Sequence, residues 1–544
     1  MTNSIADITE DARAYLVIGS NTTEQHPVIG MRLRQAVRKR GAQLIVADPR
    51  RIPLTDFAVL HLRHKPGTDI ALVNGLMHLI LANGWEDREF INQRTEGFEE
   101  IRPLIEGYTA EKVSKITGVP VEDLERAARI LGENKPASVL WAMGITQHTT
   151  GVGNVMSLAN LQMLLGNMGV PGGGTNPLRG QNNVQGACDL GGLPNVYVGY
   201  QRVTDPDLRE KFARAWGLEA DQLSLEVGLA VTEMMPLAAE GKLKALYVLG
   251  EDPVMSDPDT AHIRKALETC DLIVLQEIFP SETAPYADIL LPGASFAEKD
   301  GTFTNTERRI QMVHKAIQPP GSAKPDWWII SELARKILSS SKRQLKEADY
   351  SGWDYSDTAE IMDEIAALTP IYAGVSHRRL LEGETLQWPV KDHNHPGTPI
   401  LHTEQFSRGK GLFNPIEHIP PAELPDKEYP MVLSTGRVLF HWHGGQMTRR
   451  SAGLLAIYPQ ALIEVNDQDA DRLGLNGNHR VRVSSRRGSI EAQALVTDRV
   501  PPGMVYANFH FPEASANELT IAALDPVAKI PEYKVCAVKV EAVE

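Results

Sequence analysis

Apolar residues near the start of the chain come in two short unbroken runs, inside "ARAYLVIGSN" and "QLIVADPRR". Between them "IGMRLRQAVRKRG" repeats Ile29, Leu33 and Ala36 at helical spacing and closes on Gly41. Strands that are apolar throughout and alternate with helices mark a parallel sheet covered on both faces. The pattern then recurs. "KALYVLGEDPVMSDP" carries a strand ending at Gly250, "TAHIRKALETC" a helix, and "DLIVLQEIF" a second strand ending near Gln276. Third strands are expected at "ASVLWAMG" and "ADILLPGAS". Between the copies, "GTDIALVNGLMHLILANGW" predicts a packed helix capped by Thr68 or Asp69 and ended by Gly84.

From Leu386 to Pro430 periodicity disappears and Pro, Gly and His accumulate, so this stretch predicts a long connection. Its histidines, His393, His395, His402 and His418, lack metal-ligand spacing. Beyond it, "HRVRVSSRRGSIEAQALVTDRV" alternates in period two around Arg487-Gly488, and "GMVYANFHF" follows. That predicts an antiparallel barrel. The expected fold is α/β: two doubly wound parallel-sheet domains plus a C-terminal antiparallel β-barrel domain. The expected boundaries are 1–178 and 179–385 for the two nucleotide-sized units, 386–425 for the linker and 426–544 for the barrel.

The 544 residues exceed what one core supports. A net charge of −14 without a basic run argues against nucleic acid as partner. No segment has the roughly 20 apolar residues of a membrane span, and no basic-then-apolar leader opens the chain, so a cytoplasmic protein is expected. Cys188, Cys270 and Cys536 stand far apart and form no CxxC, which excludes a disulfide framework or a cysteine metal site read from spacing.

Candidate chemistry lies at the strand ends. Ligands of parallel sheets sit at the carboxyl ends of the strands, where the order reverses. Both copies end in glycine followed by polar residues, and Asp48 closes the second strand where a nucleotide fold meets ribose or base. GxGxxG is absent from both, which does not support an ordinary NAD site. Alternatively the glycines merely end strands and Asp48 caps a turn. The loop "HKPGTD" places glycine at a helix start, a candidate anion site. "LSTGRVLFHWHGGQMTRR" crowds cations and glycines after a strand, suiting a polyanion or else a solvated basic turn. "NPLRGQNNVQGACDLGG" sets one arginine, Arg179, among glycines and amides in a run too polar for a core helix.

Taken with "LGEDPV", "ADILLPGASFAEKDGTFTNTERRIQ", "PDWWIISELA", "MVLSTGR" and "PEYKVCAVKV", these strings make the chain resemble the catalytic subunit of formate dehydrogenases of the molybdenum or tungsten bis-molybdopterin guanine dinucleotide class. The resemblance runs nearly end to end. It implies reversible two-electron oxidation of formate to carbon dioxide, with Arg179 gripping the formate carboxylate and Gln181 near the pterins. The first unit would bind one dinucleotide through Gly19, Asn21, Glu24, Gln25, Asp48, Arg50, Gly67, Asp69 and Gln147. The second would use Gly250, Asp252, Ser256, Gln276 and Asp326. Thr435, Arg437, His441, Trp442, His443, Asn517, Tyr533 and Lys534 would cover the cofactors.

The family's cysteine-rich domain with its four-iron–four-sulfur cluster, its cysteine or selenocysteine metal ligand and the following histidine have no counterpart in "MTNSIAD" or after it. The chain is expected to match the C-terminal three-quarters of such a subunit and to be inactive alone, its start reflecting a selenocysteine codon read as stop. An iron–sulfur, flavin or ferredoxin-type electron-transfer subunit is the expected partner. A bis-molybdopterin enzyme for another substrate, such as nitrate, and a non-catalytic cofactor-holding split subunit are the alternatives.

Overall fold

The computed structural model describes residues 1–340, 353–475 and 479–543. Contacts divide the chain into two compact units, the first of residues 1–180, 252–265 and 400–544, the second of residues 181–251 and 266–399.

The first unit holds a five-stranded parallel sheet. Its strands are β1 (Ala14–Ile18), β2 (Gln43–Ala47), β3 (Leu60–Leu62), β4 (Ala137–Trp141) and β5 (Thr175–Pro177), in the order β3-β2-β1-β4-β5. All five residues of β1 are buried, because alternate side chains feed two separate cores. Leu16, Ile18, Ile45 and Ala47 pack with α3 (Asp69–Ala82), α4 (Val121–Glu133) and α5 (Gly151–Leu164). Tyr15, Val17, Leu44 and Val46 pack with α1 (Ile5–Asp11) and α2 (Pro27–Arg40). Each such Leu or Ile contributes about 1.5–3 kcal/mol on full burial. Helix α2 shows why the sequence was readable. Pro27 stands at its start with φ already fixed, Ile29, Leu33 and Ala36 face the core, and three basic residues complement the dipole of its last turn. Gly41, at φ 71°, closes it with a bond from its N–H to the carbonyl of Val37.

Two local expectations need correcting. Thr68 occupies the cap position of α3, but its hydroxyl donates to the carbonyl of Lys65 (2.7 Å) and makes no cap bond. The strand of "ASVLWAMG" is β4, which pairs with β1 on the side away from β2; the third strand after β2 is the shorter β3.

The second unit contains β6 (Ala245–Leu249), β7 (Leu272–Glu277) and β8 (Ile289–Pro292), parallel and in the order β8-β7-β6. This repeats β3-β2-β1 strand for strand. Among the described residues the order does not reverse, and the sheet is not covered on both faces as expected. Val248, Ile273 and Leu275 are buried, whereas Tyr247, Leu249, Leu272 and Ile289 are each about two-fifths or more exposed.

The C-terminal strands of the first unit close a barrel. They are β9 (Met431–Gly436), β10 (Leu462–Val465), β11 (Arg480–Ser484), β12 (Ser489–Val496), β13 (Met504–Asn508) and β14 (Cys536–Val543), in the circular order β9-β13-β10-β12-β11-β14. It is mixed rather than antiparallel throughout, since β9 pairs with β13 and β10 with β12 in parallel. The hairpin at Arg487-Gly488 stands where the alternation put it. Arg50, just past β2, fixes this barrel to the sheet by a two-point bond to Glu464 of β10, with both side chains only 7% exposed. Its guanidinium also lies 4.1 Å from the centre of the Tyr506 ring.

Candidate functional site

The order of the first sheet reverses between β1 and β4, and two glycines past the strand ends, Gly19 and Gly144, meet there. Gly19 has φ 57°, and a Cβ on it would stand 2.8 Å from the backbone of Gly144. Its carbonyl accepts a bond from the Gly144 N–H at 3.0 Å. Only two glycines permit this approach. Above the paired glycines opens a cleft, about 1080 Å³ of atom-free space counting the solvent at its mouth. Gly19, Asn21, Gln25, Asp48, Arg50, Gly67, Asp69 and Gln147 line one wall, and Thr435, Arg437 and Lys534 of the barrel domain line the other.

The cleft holds both signs of charge, but two of its cations make no ion pair among the described residues. Burial lowers the Arg437 guanidinium to about 10, and no carboxylate among the described residues pairs with it. Burial and then Arg437 bring Lys534 down to about 8; its ammonium donates to the carbonyl of Thr435 at 2.7 Å. Asp48 and Glu532 act on Lys534 from a distance, but two buried cations without an ion pair remain costly, which favours an arriving anion. The amide nitrogen and oxygen of Asn21 and Nδ1 of His26 are buried in the same cleft without a partner. Orphaned polar atoms, a glycine floor and cations without an ion pair fit an extended, hydrogen-bonding, anionic ligand.

Comparison with known proteins names the ligand class. Residues 1–336 match the molybdopterin oxidoreductase family and residues 431–537 the molybdopterin dinucleotide binding domain. The chain belongs to the molybdopterin oxidoreductase family. It is 48% identical to F420-dependent formate dehydrogenase 1 subunit alpha of Methanococcus maripaludis, over 99% of this chain and 78% of that protein. It is 40% identical to formate dehydrogenase H of Escherichia coli, over 99% of this chain and 74% of that protein. Acetylene hydratase from Pelobacter acetylenicus shares the fold with a TM-score of 0.76 at 21% identity, covering 99% of this chain and 79% of that one.

For a molybdopterin oxidoreductase, the sequence-named residues fall into distinct groups. Those lining the cleft are not all at liberty. Arg50 is engaged by Glu464, and the Thr435 hydroxyl donates to the carbonyl of Tyr533 at 2.9 Å. Asp69 is paired with His64 at 2.9 Å, and the His148 ring stands 3.9 Å away. Burial drives the Asp69 carboxyl up, but His64 and His148 together hold it below its ordinary value. Asp48 is pushed up by burial, which outweighs the backbone N–H of Arg50 bonded to it. Glu24 is not a lining residue, but its charge is felt by Arg50.

A second group ties the segment 252–256 to the barrel domain. Asn517 donates to the carbonyls of Met255 (2.7 Å) and Ser256 (3.2 Å), Tyr533 donates to that of Ser256 (2.9 Å), and Gln446 reaches Asp252. His441 is a satisfied core histidine, with one ring nitrogen on the carbonyl of Tyr458 (2.7 Å) and the other on Thr448 (3.2 Å). Trp442 stacks against Arg437 at 5.0 Å. His443, at φ 47°, is driven to about 3 by burial and then by Arg437 and His510, and its Nε2 is buried without a partner.

In the second unit, the ends of β6 to β8 gather Gly250, Gln276 and Asp326. The Gly250 N–H donates to the carbonyl of Gln276 (2.9 Å), whose side-chain amide donates to Asp326 (2.7 Å). Tyr247 and Lys299 complete this cluster through the Gln276 oxygen and the Asp326 carboxylate. Gln181 is exposed. Arg179 is half-buried; its neighbours Leu178 and Gly180 line the cleft, and its carbonyl accepts a bond from Nε2 of His26 at 2.7 Å.

Sequence reading missed His26, His64, Gly144, His148 and Glu532. His148 holds Nδ1 2.9 Å from Glu532, and its raised value shows that this carboxylate outweighs burial. Nothing local signals a pair 384 positions apart, although the "QH" of "GITQH" stood beside a residue already singled out. None of the three cysteines lines the cleft; burial pushes Cys270 up and Cys536 to about 12. No helix among the described residues is long and apolar enough to cross a membrane.

Proposed function

We propose that the chain is the catalytic subunit of a formate dehydrogenase that oxidises formate reversibly to carbon dioxide and holds two molybdopterin guanine dinucleotides with molybdenum or tungsten. The observation that carries the cofactor reading is the pair Arg437 and Lys534, buried at a sheet's switch point with no ion pair to either among the described residues, Asp48 and Glu532 acting on Lys534 only from a distance. They suit pyrophosphate oxygens, while Asn21, Gln25 and Asp48 offer the amides and carboxylate that a ribose and guanine require. The second guanosine is assigned to the Gly250, Gln276 and Asp326 cluster of the second unit. Division into two nucleotide units, a linker and a barrel domain belongs to the same reading.

When bound, the metal and its dithiolenes supply a two-electron acceptor. The protein's share is to place formate before it. Formate offers a charge and two oxygens, which a planar guanidinium meets with two parallel charge-assisted bonds. Arg179 takes this role. His26 positions the arginine: burial lowers its value, so the ring is neutral and its single N–H, on Nε2, is fixed by the Arg179 carbonyl. An iron–sulfur cluster carried outside these residues and an electron-transfer subunit complete the proposed path, consistent with relatives named as alpha subunits, and the cytoplasm is its proposed location.

Replacing Arg179 with Lys in the assembled enzyme keeps the charge but removes the fork, and is expected to raise the KM for formate at least tenfold with a smaller change in kcat. An unchanged KM sinks the assignment of formate to Arg179 and leaves the cofactor reading to the nucleotide-retention test below.

A further inference from the structure

Between β13 and β14 the chain folds into a hairpin, residues 523–534, which ends at Lys534 on the wall of the cleft. Its shape is fixed from within. The Glu532 N–H donates to the carbonyl of Ala523 and the Asp525 N–H to that of Ile530, both at 2.9 Å. The Asp525 carboxylate accepts from the N–H groups of Val527 and Ala528. Two carboxylates then seat the hairpin on the start of α5. Asp525 accepts from the N–H of Val152 (3.0 Å), and Glu532 from that of Thr149 (3.0 Å). Unpaired N–H groups at a helix start favour carboxylates, which explains the seat. The Tyr533 N–H adds a bond to the carbonyl of Gln147 (3.3 Å).

His148 stands between this hairpin and the glycine floor. Its Nε2 lies 2.9 Å from the carbonyl of Gly144, the residue whose N–H bonds to Gly19, and its Nδ1 lies 2.9 Å from Oε1 of Glu532. Both neighbours are acceptors, so the ring meets both only with a proton on each nitrogen. Thr149 takes the other Glu532 oxygen, and ring and carboxylate are 3% and 1% exposed. Asp69, at the start of α3, stands 3.9 Å from Nε2, with His64 on its other oxygen and His418 within reach of its charge. Glu532 in turn acts on Lys534. Burial alone would lower the ring, but Glu532 and Asp69 outweigh it, in keeping with that geometry.

We propose that His148 and Glu532 are positioning residues for the dinucleotide of the first cleft. As imidazolium and carboxylate they brace the glycine floor against the hairpin that carries Lys534, and so hold the spacing that the ligand fills. Deprotonation of the ring leaves one N–H for two acceptors, and either floor or wall is released. The inference rests on the cofactor reading and does not depend on formate as substrate.

The test follows guanine nucleotide lost from the loaded enzyme after gel filtration. Glu532→Gln and His148→Gln should each speed the loss about fivefold or more, and the double variant no more than either, because each breaks the same brace. A merely structural role would not make the loss depend on pH. With Lys534→Met removing the lysine's own titration, loss should quicken as pH rises through the raised value of His148, and Glu532→Gln should move that step to lower pH. A step unchanged in His148→Gln overturns the proposal, because it would belong to His64 and Asp69. Loss unaltered by either substitution overturns it too. If Arg437→Gln then still speeds the loss, the cofactor reading stands; if it does not, both fall. Should the variants not fold, hydrogen exchange in the unsubstituted chain decides. Corrected for its intrinsic rate, exchange at residues 143–149 should rise across the same pH step, and a flat profile there overturns the proposal.

Discussion

The two parallel sheets of this chain start from nearly the same instructions. Each has an apolar strand ending in glycine, a helix, a second strand ending in a polar residue, and a third strand beyond it. In the first, β1 is buried along its whole length; in the second, β6 alternates between exposed and covered positions. A strand's own residues specify its pairing and its register. They do not supply the cover. The first sheet draws its cover from α3, α4 and α5, which come from 69–164, and from α1 and α2. The cover thus depends on chain elsewhere, and the repeat does not include it.

The largest separation between the two regions is expected in their ion pairs. Arg50 and Glu464 are 7% exposed, whereas Lys299 and Asp326 are 25% and 31% exposed. Glu464→Gln leaves a buried guanidinium short of charge and should cost about 3–5 kcal/mol. Asp326→Asn should cost under about 1 kcal/mol. Denaturant titration of both variants checks this. Equal costs would mean that the second cluster is as well shielded as the first.

Next comes the apolar content of the strands themselves. Leu16→Ala removes a side chain with no exposure and is expected to cost about 2–5 kcal/mol. The same change at Leu272, 40% exposed, should cost less than about 1 kcal/mol. If Leu272→Ala were as damaging in the isolated chain, its face would already be covered and the comparison would fail.

These contrasts also show what could be read from residues alone. Strand and helix order of both units was legible because period and punctuation agree, as at Pro27 and Gly41. The barrel was legible from alternation, yet its parallel pairs were not, since period two is the same in either direction. Of the site, Gly19, Asp48, Gly67 and Asp69 stand at strand or helix ends where position itself carries the meaning. His26, His148 and Glu532 were out of reach because their roles arise from partners 153 and 384 positions away. His441 and Asn517 were named as ligand contacts, but the structure uses their side chains to hold backbone carbonyls.

Nucleotide retention sharpens the comparison at the strand ends. If each unit holds one guanosine, acid release should yield two guanine nucleotides per loaded chain. Lys534→Met or Arg437→Gln removes a charged contact that contributes about 1.5–3 kcal/mol, and should lower retention at the first cleft tenfold or more. Gln276→Ala should spare that nucleotide and loosen the other. Loss of both from either variant would show that the two sites are not separable. Because Lys534 sits at about 8, retention at the first cleft should also weaken as pH rises through that value.

The smallest effect is the pH dependence of stability, and it too should divide the molecule. Burial alone would lower His64 and His148, but Asp69 and Glu532 outweigh it and both are raised. Folded protein therefore binds protons more tightly at these rings than unfolded protein, whose histidines titrate near about 6.5. Their stabilisation is complete below about 6.5 and is lost as pH rises through the higher folded values. His443 and His510 act in the opposite sense. Burial holds both at about 3, so they stay neutral when folded while the unfolded chain takes up protons, and stability falls as pH drops below about 6.5. The two limbs meet near pH 6.5. All four rings belong to the first unit, so hydrogen exchange between pH 5.5 and 8.5, corrected for its intrinsic rate, should follow this bell around β1, β4 and β9 and stay flat in β7. Glu532→Gln should shrink the alkaline limb by removing the main charge that raises His148, leaving the share of His64 and the acid limb in place. An alkaline limb unchanged in Glu532→Gln would transfer the whole effect to the His64 and Asp69 pair, which that substitution leaves intact.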